Sequence, residues 1–176
     1  MKKLIAIVLA LMLTLSLAAC GVPSGTVEGQ TYRNADMGFG ITMDDAWTLE
    51  GQLEEDGETY DLYATNALTG ESLNIIMASD DMDGKSEEAY LEQCAEEVAK
   101  EMENAGFSNV EIDIAYVRMA GRDCMGYNIS CDMQGVTIYM TQAMWIEDGY
   151  AAVITSASDS TMGSRAIFKD FFPVSG

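Results

Sequence analysis

From Gly38 onward the chain sets short runs of alternating apolar and polar residues between turn-forming clusters. Phe39, Ile41 and Met43 share one side of GFGITM, the period-two mark of a half-buried strand. GQLEEDGE (51–58) reads as a polar turn. TYDLYATN (59–66) and ESLNIIMAS (71–79) are strand-like, and ALTG between them predicts a hairpin. After Asp80-Asp81-Met82-Asp83-Gly84-Lys85 the period changes. Leu91, Cys94, Ala95, Val98 and Met102 form one apolar stripe, which predicts a helix from about Ser86 to Asn104. Ser86 is placed to cap it, Glu87 and Glu88 suit the positive end of its dipole, and Gly106 lies just past its end. Strand runs then return at 110–119, 122–131, 136–146 and 150–158, with DMQG and Glu147-Asp148-Gly149 as hairpin turns. A closing helix is expected from about Ser160 to Phe172, ended by Pro173. Residues 21–37 are rich in Gly, Ser and Thr without apolar period, and read as a flexible tether. The pattern therefore predicts an α+β domain: a central antiparallel sheet of about six strands, with the acidic helix (about 86–104) and a short C-terminal helix packed on it.

The first residues follow a different logic. Lys2 and Lys3 precede an uncharged run from Leu4 to Leu17, and the small residues Ala18 and Ala19 follow it. The run is too short to span a bilayer, which needs about 20 apolar residues. A charged start, a short apolar centre and a small-residue exit describe a secretory signal. Leu17-Ala18-Ala19-Cys20 resembles the bacterial lipobox, and the whole segment resembles a lipoprotein signal peptide. The resemblance implies removal of residues 1–19, a lipid on the Cys20 sulfur, and a protein held on the extracytoplasmic side of a bacterial membrane. Two acyl chains suffice for stable anchoring.

Charge narrows the partners. Nine basic residues face 29 acidic ones, for a formal net charge of −20 at pH 7. Nucleic acid is excluded, because its binding depends on Lys and Arg neutralising phosphates. A basic protein partner or divalent cations would be attracted. The absence of histidine removes the Ser-His-Asp and Cys-His nucleophilic arrangements and the commonest transition-metal ligand. Cys94, Cys124 and Cys131 match no metal spacing. They read as small buried hydrophobes, with a disulfide from Cys94 to Cys124 or Cys131 as the alternative.

The order of elements, with GFGITMDDAW at the front and MAGRDCMGYNIS opening the strand series, resembles the PsbP/Mog1-like fold over residues 38–173. That resemblance implies a domain with no shared catalytic set and a binding or accessory role. The expected organisation is a signal peptide (1–19), a tether (20–37) and one domain (38–173).

Candidate chemistry is sparse. Asp80, Asp81 and Asp83 with Gly84 suggest a weak calcium loop, but an EF-hand register puts Tyr90 where a bidentate carboxylate belongs. No catalytic residue and no cofactor are expected. The sequence thus points to a membrane-anchored, non-enzymatic binding or interaction module. The alternatives are a carboxylate-based hydrolase of wall glycans and a weak calcium-binding structural protein.

Overall fold

The computed structural model describes residues 22–55, 58–79 and 84–175. Its elements run β1 (Thr26–Glu28), β2 (Thr31–Asn34), β3 (Phe39–Thr42), β4 (Trp47–Glu55), β5 (Glu58–Asn66), β6 (Ser72–Ser79) and α1 (Glu87–Asn104). There follow β7 (Ser108–Met119), β8 (Arg122–Met133), β9 (Val136–Glu147), β10 (Tyr150–Ser158), α2 (Thr161–Ala166), a 3-10 turn (Ile167–Asp170) and β11 (Phe171–Pro173). Seven strands form one sheet in the order β4-β5-β6-β10-β9-β8-β7, and four form a second, β1-β2-β3-β11. Neighbours are antiparallel in both sheets.

This corrects the expected α+β arrangement with its central sheet of about six strands. The described protein is mostly strand, in two sheets of seven and four, with one long helix and one of six residues. Three departures account for the difference. Residues read as a tether carry β1 and β2, and Tyr32, Asn34 and Met37 within them are buried. The closing segment is helical only to Ala166. It then tightens into the 3-10 turn and ends as β11, where Phe171 pairs with Ile41 and Pro173 with Phe39. A proline at the end of an edge strand needs no ladder donor, so this ending is compatible with Pro173. The segment read as a polar turn at 51–58 also continues β4 through Glu55.

Burial on two faces explains why strands in this sheet carry apolar residues at both parities. On one face Ile129, Met140 and Met144 pack with Leu91, Val98 and Met102 of α1. On the other, Leu62, Ile75, Ile154 and Trp145 pack with Tyr32, Phe39 and Ile41 of the small sheet and with Phe168 and Phe171. Gln142, which breaks the apolar face of β9, donates from Nε2 to Thr155 Oγ1 at 3.0 Å and so sits buried on the helix side with a partner.

The helix begins and ends on local chemistry. Ser86 Oγ accepts from Ala89 N–H at 3.3 Å. At the other end Gly106 adopts φ +95°, while its N–H and that of Phe107 bond back to Glu103 O and Met102 O at 3.0 and 3.1 Å. Such a left-handed glycine closes the helix and satisfies its last carbonyls. The Tyr127 hydroxyl donates to Leu91 O at 2.5 Å, pinning α1 to β8.

Because the large sheet is antiparallel throughout, its turns gather at two ends. The β7–β8 turn at Arg122 and the β9–β10 turn mark one end, together with the start of β5. The β5–β6 turn at Leu68, the β8–β9 turn and the end of β10 mark the other. At a rise of about 3.3 Å per residue, the two ends lie roughly 25–30 Å apart.

Candidate functional site

Two side-chain clusters stand out, one inside the protein and one at the Leu68 end. The inner one is built around Asp61, which is 3% exposed. Its carboxylate accepts the Gly25 N–H on both oxygens, at 3.0 and 2.9 Å. The Tyr32 hydroxyl and Gln52 Nε2 also donate to it, and Asn34 Nδ2 lies 3.4 Å away. Asn34 in turn accepts the Met37 N–H at 3.0 Å. A buried carboxylate needs such donors to replace its hydration. Burial, then the neighbouring Asp61 charge, holds the Tyr32 phenol far above its usual range, so it remains a proton donor. Gly25 is required by space as well. A Cβ there would lie 2.6 Å from the Tyr32 hydroxyl oxygen. The cluster ties the first described residues onto β5.

The second cluster surrounds a cleft of about 180 Å³ between the start of β4, the β5–β6 turn and α2. Asp44, Trp47, Asn66, Glu71, Lys169 and Asp170 are among its lining residues. The β5–β6 turn is held by its own polar groups. Asn66 Oδ1 accepts from the N–H groups of Leu68 and Thr69 at 2.9 and 3.1 Å, and Gly70 N–H bonds back to Asn66 O at 2.9 Å. Glu71 Oε2 accepts from the Thr69 hydroxyl at 2.9 Å, and Glu71 Oε1 from Ser158 Oγ at 3.4 Å. Ser160 caps α2 by accepting the Gly163 N–H at 3.1 Å. Gly163 comes so close to the turn that a Cβ would lie 2.8 Å from Glu71 Oε1. The turn and α2 are therefore one packed unit.

That unit leaves Leu68 and Met162 each 84% exposed. Val136, the first residue of β9 at the same end, is 50% exposed. Three of the four large apolar side chains most open to water in the described residues thus belong to this end, and Tyr116 on β7 is the fourth. The cleft is smaller than the roughly 300–1,000 Å³ usual for small-molecule sites. Two of its carboxylates are engaged locally, since Asp44 Oδ1 accepts the Ala46 N–H at 2.9 Å and Glu71 holds the turn.

The residues singled out by sequence do not converge on this site. Cys20 and the Asp80, Asp81 and Asp83 set lie outside the described residues. The glutamates of α1 line the helix and not the cleft. Cys124 and Cys131 are buried on opposite faces of the sheet, and Cys94 is on α1; all three are free, which removes the disulfide alternative. Burial pushes the Cys124 and Cys131 thiols up to about 11, and raises Cys94 as well. Among the described residues no three Cys, Asp or Glu side chains converge to hold a metal ion, and no helix is long and apolar enough to cross a membrane. Asp61 and Leu68 were not singled out by sequence. One signal existed for Asp61: a lone acid in TYDLYATN, flanked by large apolar residues at both parities, marks a carboxylate inside a doubly buried strand.

No protein-family model matches the chain. No curated protein sequence matches it. Solved structures do. The chain is similar to cyanobacterial PsbP (CyanoP) from Synechocystis sp. PCC 6803, with a TM-score of 0.61 and 11% identity over 91% of this chain and 98% of that one. It superposes more loosely on LpqN, a Mycobacterium tuberculosis protein involved in cell envelope biogenesis, with a TM-score of 0.45 and 12% identity over 92% and 98% of the two chains. Identity this low speaks to architecture alone, and the first superposition, covering nearly all of both chains, is what carries the conclusion that this protein has a PsbP-like fold.

Proposed function

We propose that the protein is a lipid-anchored, extracytoplasmic, non-enzymatic interaction module. On this reading the lipid is on Cys20, and the Leu68 end meets a protein partner that presents apolar and basic side chains. The observation that carries the reading is the pair of 84% exposed side chains, Leu68 and Met162, carried on hydrogen-bonded turns beside a partly acid-lined cleft smaller than an ordinary ligand site. Exposed apolar side chains gathered into a patch rimmed by polar groups mark interaction sites. The acids Asp44, Glu71 and Asp170 and the net charge of −20 supply the complement for a basic segment.

The test is recovery of the full, membrane-extracted protein with whatever accompanies it, compared with the double variant Leu68→Asp, Met162→Asp. Support is a protein that accompanies the wild type, is lost with the double variant, and crosslinks through a Lys- or Arg-bearing segment to a photoreactive residue at position 68. The same preparations are incubated with purified wall glycan. Release of sugar fragments that stops in Glu71→Gln or Asp170→Asn would overturn the reading in favour of a carboxylate-based hydrolase.

A further inference from the structure

The segment before β2 has a physical consequence for how such a module would stand on a membrane. The sequence pattern of residues 21–37 suggests a long, loose leash. The structure instead ties that segment down almost to its start. Val22 and Val27 pack against the core between the two sheets. Gly25 N–H is held by both oxygens of Asp61, and Gly25 lies against the Tyr32 ring with no room for a side chain. Strand β1 then pairs with β2 from Thr26 to Glu28. In sequence only Gly21 separates Cys20 from Val22, which packs against the core. Two residue steps cover at most about 7 Å. A loose tether of residues 21–37 would instead reach tens of ångströms and let the domain tumble.

The direction of the tied segment is also fixed. Val27 lies beside Gly51, since a Cβ on Gly51 would come 3.0 Å from Val27 Cγ2, and Gly51 pairs with Leu62. Two residues earlier, Gly25 is bound at Asp61, one step closer to the start of β5. Following the chain backwards therefore leads toward the Arg122 end and away from the Leu68 end.

We infer that, granted the lipid on Cys20 proposed above, the Asp61 cluster is an orientation device. It holds the Arg122 end of the domain against the bilayer surface and directs the Leu68 end, with Leu68, Val136 and Met162, away from it. The partner of that end is then a protein standing in the space beyond the membrane surface and not a lipid headgroup. An acidic domain held within a few ångströms of anionic lipid would be pushed off if its leash allowed, so close placement has to come from the short connection.

The experiment uses the lipidated full chain in phosphatidylcholine–phosphatidylglycerol vesicles that carry an energy-transfer acceptor on the headgroups. A fluorescent noncanonical residue is placed at exposed Glu54, near the Arg122 end, or at Leu68. Transfer from position 54 is expected to exceed that from position 68 about twofold or more, because about 25 Å of strand separates them. Inserting about twelve Gly and Ser residues between Gly21 and Val22 should bring the two signals together. Equal transfer from both positions in the unextended protein overturns the orientation, as does a difference that survives the insertion. Mass analysis separates the two ideas. A membrane-extracted chain without lipid on Cys20, or a Cys20→Ser variant that still sediments with vesicles, overturns the anchor itself and the orientation with it. A lipidated chain with equal signals overturns the orientation alone.

Discussion

Asp61 is a buried carboxylate with no cation bonded to it among the described residues, and four donor groups bond to it there. Replacing it with alanine leaves Tyr32, Gln52, Asn34 and the Gly25 N–H without their acceptor. Bonds to a charged group contribute about 1.5–3 kcal/mol each and orphaned donors cost further, so Asp61→Ala should destabilise by about 3 kcal/mol in urea unfolding. Exposed Asp113→Ala on β7 should change stability by no more than about 0.5 kcal/mol. An equal effect of the two would show that the cluster is incidental. The thiols make a separate prediction. The Cys124 and Cys131 values rise from 9.0 to about 11 on folding because burial disfavours the thiolate. A group raised in this way contributes stability that is complete below pH 9 and lost as the pH climbs toward 11, because the unfolded chain gives up the proton first. Unfolding free energy should fall through that window, and Cys124→Ala with Cys131→Ala should flatten the fall. In the Cys20→Ser protein, Cys94 should be the first thiol to react with a disulfide reagent at pH 8.

At the level of elements, local chemistry makes sharp predictions where the residue acts on its own neighbours. Gly106 holds φ +95° with open space where a Cβ would go, so Gly106→Ala meets backbone strain and no clash. It should cost about 1 kcal/mol, and loss of the Ser86 cap in Ser86→Ala a similar amount, both read by thermal melting with helix signal. The same locality decides what was legible in the sequence. The turns Ala120-Gly121, Gln134-Gly135 and Asp148-Gly149 all place both residues at positive φ, the geometry a two-residue hairpin needs, and residue type alone marks the last two. The helix was legible because its stripe, cap and closing glycine are all nearby in sequence. The small sheet was not. Tyr32 and Asn34 bond to Asp61 on a strand far along the chain, and Phe171 joins β3 across most of the sequence. The period of β3 is visible in the sequence, but it does not reveal β1, β2 or β11 as the other strands of its sheet. The candidate site shares the limitation. ALTG marked a turn, but the meeting of that turn with α2 and Asp44, which leaves Leu68 and Met162 outside, is tertiary.

Across the whole molecule the dominant force that remains unbalanced is charge. Seven of the 29 acidic residues lie on α1, where Glu87, Glu88, Glu92, Glu96, Glu97, Glu101 and Glu103 accompany only Lys100. Glu88–Glu92, Glu92–Glu96 and Glu97–Glu101 are like-charged at four-residue spacing, each costing about 0.2–0.5 kcal/mol. No basic residue sits in the last turn to complement the dipole. What holds α1 is therefore its buried stripe of Leu91, Val98 and Met102 and the Tyr127 bond, working against its own surface. Two consequences follow from that opposition. Raising salt from about 10 mM to 150 mM shortens the screening length from about 30 Å to 8 Å, and the melting temperature should rise by a few degrees. Glu92→Lys converts two repulsive pairs into attractive ones and should stabilise by about 1 kcal/mol at low salt, the gain shrinking as salt is added. A melting temperature indifferent to salt, or a Glu92→Lys gain that persists at high salt, would mean that the repulsion is already neutralised. The acidic surface would then be spent on bound counter-ions, leaving less of its charge to select a basic partner.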